Sequence, residues 1–218
     1  MKEKRAARRQ EYQDRQRQEI LDEALELFSE RGYHNVSMQE IAAEAEFAVG
    51  TLYKLFANKE ELYRAILFDL SEIFADALGQ ALEEGDGEVE RITSYLRVAG
   101  EVFMANSRAI RLYFAETRGA SFNIRAGLDD ELIGRYDEIL GWLAEVFATG
   151  IGKGVFRPLD PHILARSLDS LACTFLVAWL DDPERYPYEQ SIAMIQEIFF
   201  RGVMAVKPVP PAAERSSS

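Results

Sequence analysis

Hydrophobic residues return every three or four positions along almost the whole chain, and no stretch alternates singly as a half-buried strand would. Ile20, Leu21, Ala24, Leu25, Leu27 and Phe28 mark a first helix, and Gly32 suits the left-handed residue that follows a helix end. After a short connection, Tyr33 to Val36, a second helix runs from about Met38 to Ala45, with Ile41, Ala42 and Ala45 inward. Glu46 and Phe47 form a turn. A third helix covers about 49–55, with Val49, Leu52 and Phe56 inward and Gly50, Thr51, Tyr53 and Lys54 outward. A fourth starts after Asn58 and carries Leu62, Ile66, Leu70, Ile73, Phe74 and Ala77, long enough to join two subdomains. Gly85-Asp86-Gly87 breaks it, and the same periodicity predicts helices at about 88–105, 107–117, 128–150, 161–180 and 188–206. The fold class is all-α, with about nine helices.

Local signals sharpen the first part. Ser37 with Glu40 three residues on reads as a capping box, in which hydroxyl and carboxylate satisfy each other's backbone N–H groups; Asn58 and Glu61 repeat the spacing. Two short helices with facing apolar sides and a tight turn read as a helix-turn-helix. Asp160-Pro161 is a cap followed by proline at the first helical position. Gly150 to Gly154, GIGKG, reads as a loop, since it lacks a phosphate-loop pattern and a preceding strand.

Composition bounds the rest. In 218 residues with 48% hydrophobic content there is ample core for one large or two small domains. No apolar run is expected to reach the roughly 18 residues of a membrane-spanning helix, and no apolar segment follows the charged N-terminus as in a signal peptide. The single cysteine, Cys173, rules out an internal disulfide and fits a reducing, cytoplasmic setting. The net charge of −12 argues superficially against nucleic acid. Its distribution answers that objection: residues 1–60 carry 10 basic against 12 acidic residues, and residues 1–17 carry 7 against 3. Phosphate binding depends on local presentation of Lys and Arg. Residues 1–17 read as a frayed, partly helical basic arm, either solvated or lying along DNA. Residues 207–218, rich in Pro and Ser, read as a disordered tail.

From Ile20 to Leu62 the residues resemble a family. The run ILDEALELF from Ile20, then Gly32-Tyr33, Val36-Ser37-Met38, Ile41-Ala42, Ala45, Gly50-Thr51-Leu52-Tyr53, Phe56 and Lys59-Glu60-Glu61-Leu62 are similar to the N-terminal domain of TetR-family transcriptional regulators. Val155-Phe156-Arg157-Pro158 before Asp160-Pro161 also resembles a connection in that family. The resemblance implies a homodimer with one helix-turn-helix per subunit reading half of a palindromic operator. It implies domains at 18–62 for DNA and 63–206 for ligand binding and dimerisation. It also implies a small effector that changes the spacing of the two heads and releases DNA.

The expected DNA-facing set is Ser37, Gln39, Gly50, Thr51, Tyr53, Lys54 and Lys59. Thr51 and Lys54 can reach base edges, since Thr offers a hydroxyl and a methyl and Lys favours guanine acceptors or phosphate. Gly50 permits close backbone approach. Lys59, at a helix start, suits a phosphate. Tyr53 is similar to the family's phosphate-contacting tyrosine. Plainer readings stand beside these: Tyr53 as the edge of the small core, Lys54 and Lys59 as solvated, Ser37 as a cap alone, Thr51 as a helix-face residue. The chain departs from the family pattern at Glu46, where Gly is usual, at Ala48, where Ser is frequent, and at Leu55, where His or Tyr is common. Helix-based readout is therefore expected to be thin.

In the C-terminal part, Phe103, Met104, Tyr113, Phe114, Trp142, Phe175 and Trp179 suggest as a set a mostly apolar effector cavity between helices, although each taken singly is more often core. Arg108, Arg111 and Arg118 lie where they could pair an anionic ligand end. Leu164, Leu168, Leu171, Ile192, Ile195 and Phe199 form two apolar stripes that fit a four-helix dimer interface or burial within one subunit. No catalytic constellation is visible: His34 and His162 have no metal-ligand spacing, and Cys173 has no evident base. No cofactor is expected. The expected partners are double-stranded operator DNA, a small hydrophobic or amphipathic effector and a second copy of the chain, with no membrane. The competing reading is a helical ligand-binding or scaffold protein without DNA binding.

Overall fold

A computed structural model describes residues 2–117 and 125–205. The described residues form nine α-helices: α1 Lys2–Arg31, α2 Met38–Glu44, α3 Val49–Leu55, α4 Lys59–Glu83, α5 Glu88–Ala105, α6 Ser107–Glu116, α7 Asp130–Gly152, α8 Pro161–Asp181 and α9 Tyr188–Val203, with one 3-10 turn at Tyr33–Asn35. The all-α expectation holds, and the helix boundaries agree to within a few residues. Arg118 and the tail from 207 lie outside the described residues.

The helix ends follow from side-chain chemistry. Ser37 closes a full capping box on α2: its Oγ accepts from the Glu40 N–H at 3.2 Å, and Glu40 Oε2 accepts from the Ser37 N–H at 2.8 Å. Asn58 caps α4 by accepting from the Glu61 N–H at 2.7 Å, but the Glu61 carboxylate turns to the Ala57 N–H at 2.6 Å, so the second pair is only half a box. Asp160 accepts from the Ile163 N–H at 2.9 Å, with Pro161 in the first turn, as expected. Three expectations are corrected. The basic arm is continuous helix with the rest of α1, and Gln10–Asp14 and Gln18–Asp22 side-chain bonds, each 2.9 Å, run along it. α9 ends at Val203, short of 206. The stretch Gly150 to Gly152 is the end of α7, and the chain leaves the helix through Lys153 and Gly154, the latter at φ +72. Gly150 has a packing reason: a Cβ there would stand 2.4 Å from the Phe156 ring.

Two main cores result. The head core joins Ile20, Leu21, Ala24, Leu27 and Phe28 of α1 to Ile41 and Ala42 of α2, Leu52 of α3, Leu62 and Ile66 of α4, and Ala109 and Leu112 of α6. The body core joins Leu78, Leu96, Leu143, Phe147, Leu168 and Ile195, among others, from α4, α5, α7, α8 and α9. α4 belongs to both. The head therefore extends past residue 62 and includes one face of α6, which enters it from far along the chain. Arg17 adds a polar clasp: its guanidinium binds both carboxylate oxygens of Asp69 at 2.8 and 3.0 Å.

Candidate functional site

The turn between α2 and α3 fixes how α3 is presented. The Phe47 N–H donates to the Ala42 carbonyl at 2.8 Å and the Glu46 N–H to the Ala43 carbonyl at 3.2 Å. This is a Schellman closure, which requires a left-handed residue at its penultimate position. Glu46 occupies it at φ +56. A side chain there is strained, and glycine is not. Glu46→Gly should therefore raise stability by about 0.5–1 kcal/mol, read as a higher urea midpoint with an unchanged m-value.

α3 starts at Ala48 without any side-chain cap, as its sequence implies. Leu52 is buried beneath it. Gly50, Tyr53 and Lys54 are exposed and Thr51 is half-buried, so the outward face is the one expected. Nothing stands within 4 Å of where a Gly50 Cβ would lie. Gln39 is exposed in the first turn of α2. Two of the expected residues are committed to the protein itself. The Ser37 hydroxyl donates to Glu40 at 2.7 Å while serving as cap. The Lys59 ammonium donates to the Tyr33 carbonyl at 2.8 Å and the Val36 carbonyl at 2.9 Å and sits 4.4 Å from the centre of the Tyr33 ring. Along the arm, Arg5, Arg8, Arg9 and Arg15 are exposed at helical spacing around Tyr12, a basic strip continuous with the head.

The second site is a cavity of about 170 Å³ in the body, walled by α4, α5, α6, α7 and α8. Leu70, Phe74, Phe103, Ile110, Leu132 and Leu176 make most of its surface apolar. A polar cluster interrupts that wall. The Tyr136 hydroxyl donates to Asp169, and Tyr95 also hydrogen-bonds Asp169. Burial pushes the Asp169 carboxyl above its ordinary range, against the opposing pull of both tyrosines and of Arg166. The same burial, with the Asp169 charge nearby, pushes the Cys173 thiol up to about 12. Cys173 therefore stays a thiol at neutral pH, and iodoacetamide should label it only after denaturation.

Of the seven aromatic and methionine side chains expected at this cavity, Phe103 and Tyr113 line it. The other five are spent elsewhere because aromatic bulk serves packing as readily as binding. Trp142 lies over Gly79, where an added Cβ would stand 3.4 Å from its ring. Trp179 makes an edge contact with Phe103 at 6.5 Å, and Met104 and Phe114 pack in that same region. Phe175 packs on the body core. Arg108 pairs with Glu26 and Arg111 donates to the Leu180 carbonyl, so neither faces the cavity. Tyr95, Tyr136 and Asp169 went unnoticed in the sequence. Asp169 alone left a signal: one acid among the inward-facing Ala165, Leu168, Ala172 and Leu176 of α8. Among the described residues no group of His, Cys, Asp and Glu could hold a metal ion.

Residues 20–66, the helix-turn-helix with its flanking helices, match the family described as bacterial regulatory proteins, tetR family. The chain is also 30% identical over 179 residues to the HTH-type transcriptional repressor KstR of Mycolicibacterium smegmatis, covering 78% of this chain and 79% of that one. The chain belongs to the TetR family. It is 31% identical over 146 residues to the HTH-type transcriptional regulator RutR of Escherichia coli strain K12, and that match spans 66% of each chain, just under two thirds of RutR. Among solved structures, AibR in complex with isovaleryl coenzyme A and operator DNA is similar at 25% identity and TM-score 0.66, over 84% of this chain and 98% of that one.

For this TetR-family regulator the expected dimer stripe needs correction. Leu164, Leu168, Ile195 and Phe199 are buried in the body core of their own chain, and Leu171 and Ile192 are partly buried against it and the neighbouring cluster. Stripe periodicity identifies the apolar face but not what covers it. The large apolar side chains left open on α8 and α9 are instead Ile163 at 61%, Met194 at 52% and Ile198 at 55% exposure. α8 has a mean hydropathy of 1.5, enough by length and composition alone to cross a membrane; a third of that stretch is buried in the body.

Proposed function

We propose that this TetR-family protein is a cytoplasmic transcriptional repressor that binds a palindromic operator as a homodimer and leaves it when a small, mostly apolar effector occupies the body cavity. The observation that carries this reading is the double allegiance of α6. Its Ala109 and Leu112 are part of the head core, while Ile110 and Tyr113 line the cavity. A ligand that moves one face of α6 must move the other, because packed cores switch between arrangements more readily than they deform. The repressor named KstR and the AibR complex with an acyl thioester and operator DNA support a ligand-controlled DNA function. Ile163, Met194 and Ile198 are the apolar surface on which a second copy of α8 and α9 would close.

Tyr53, Lys54 and the strip Arg5, Arg8, Arg9 and Arg15 take phosphates in this reading; Thr51 reads a base edge. The test is binding to the DNA upstream of the protein's own gene across a salt series. Affinity should fall steeply as salt rises. Lys54→Ala should reduce affinity for all sequences alike, and Thr51→Ala should change preference among them, by about 1–3 kcal/mol at one position. Absence of salt-dependent DNA binding would overturn the reading in favour of a ligand-binding scaffold. A Thr51→Ala effect equal on every sequence would remove its base-reading role.

A further inference from the structure

Donor and acceptor accounting at the cavity wall restricts what can occupy it. The Ser71 hydroxyl is spent on the Phe68 carbonyl at 2.7 Å, and the Tyr113 hydroxyl on the Ala126 carbonyl. The Tyr136 hydroxyl is spent on Asp169, which Tyr95 also engages. Cys173 offers a thiol, a weak donor. No Lys, Arg or His stands among the described residues that line the cavity. Arg166, whose charge acts on Asp169, is exposed and paired with Asp137 at 3.3 Å. The wall has thus used its strong donors and kept acceptor capacity. A carboxylate has about four lone-pair sites, and the two tyrosines occupy part of that set. Asp169 sits deep in the body yet retains accessible surface, and it lines the cavity. A ligand carboxylate or phosphate would meet a buried acid with no basic side chain among the described residues of the wall, which is costly. A ligand ammonium would bring both the missing hydrogens and the opposite charge, beside the rings of Phe74, Tyr95, Phe103 and Tyr136, whose faces attract cations.

We propose that the cavity selects an apolar amine, its hydrocarbon body against the leucine and phenylalanine wall and its ammonium hydrogen-bonded to Asp169. This deepens the effector reading above and rests on it for the link to DNA release. It separates the protein from any relative whose ligand is an acyl thioester, since no described residue lining the cavity carries a positive charge for phosphates.

The experiment compares octylammonium, 1-octanol and octanoate, titrated by calorimetry into the full chain without DNA. Octylammonium should bind tightest, 1-octanol at least about tenfold more weakly, and octanoate weakest. Asp169→Asn should abolish the advantage of the amine over the alcohol. Octanoate binding as tightly as octylammonium, an alcohol equal to the amine, or failure of all three probes overturns the proposal. The ranking on the unmodified protein needs no variant, so it decides the matter even if Asp169→Asn does not fold. A parallel operator titration separates the two readings. Octylammonium that binds without lowering operator affinity overturns effector-controlled release and leaves the amine site standing. Release by octanoate alone overturns the amine site and leaves release standing.

Discussion

Gly100→Ala should destabilise the protein by about 3 kcal/mol, at the upper end of what overpacking costs, with a lower urea midpoint and a near-native far-UV spectrum below it. The reason is a single close approach. The Tyr188 ring lies directly on α5 at Gly100, so an added Cβ would stand 1.8 Å from two ring carbons and 2.2 Å from the hydroxyl oxygen. That ring cannot slide away freely. Tyr188 is buried, and its hydroxyl donates to the Leu96 carbonyl one turn earlier on the same helix. The methyl would therefore push the start of α9 off α5, opening the cluster that contains Phe103, Ile110, Leu176 and Leu180. Tyr188→Ala alone should also cost about 3 kcal/mol by leaving a cavity. The double variant should cost clearly less than the two together, because the new methyl enters the space the ring vacates. Additive losses would show that the steric conflict is relieved some other way.

Lys59→Met is expected to cost about 2 kcal/mol, a fall in melting temperature of roughly 4–8 °C for a chain of this size, while leaving the slope of DNA affinity against salt unchanged. Read as sequence, Lys59 at a helix start beside a DNA-reading unit looks like a phosphate ligand. In the fold its ammonium ties the Tyr33 and Val36 carbonyls to the start of α4 and covers the Tyr33 ring. Methionine keeps the stem over the ring and deletes only the charged donor. The Val36 carbonyl then loses the ammonium, the Tyr33 carbonyl keeps only the long bond from the Val36 N–H at 3.4 Å, and the connection between α1 and α2 loosens. A phosphate contact behaves differently: removing it lowers the salt slope by about one counterion. A reduced slope with unchanged stability would return Lys59 to the DNA surface.

These two residues illustrate what the sequence could and could not disclose. Local signals were legible because their chemistry acts over three or four residues. Ser37 with Glu40 and Asp160 with Pro161 cap the helices they precede, and Glu46 stands in the turn at the position where glycine would relax the backbone. The outward face of α3 follows from the inward spacing of Val49, Leu52 and Phe56. Long-range commitments were not legible. Lys59 reaches carbonyls far back in the chain. Tyr95, Tyr136 and Asp169 lie on three different helices, and each by itself is an ordinary residue at helical spacing. Size alone singles out the expected effector residues, but a large ring signals that space is filled, not which space. The dimer stripe failed for a related reason: α8 and α9 are apolar on two sides, and the deeper side belongs to the chain's own body.

The division of the head core between α1 to α4 and two residues of α6 bears on modularity. Residues 1–66 hold the whole recognition unit in sequence but not its whole interior, because Ala109 and Leu112 close it from outside that span. A hybrid that joins this head to the body of another regulator would inherit a stranger's α6. It would work only if that helix presents small and leucine-sized side chains at the same two places. The unit of exchange is therefore larger than residues 20–66, and the choice of donor body is limited by two methyl-bearing side chains that lie outside that stretch.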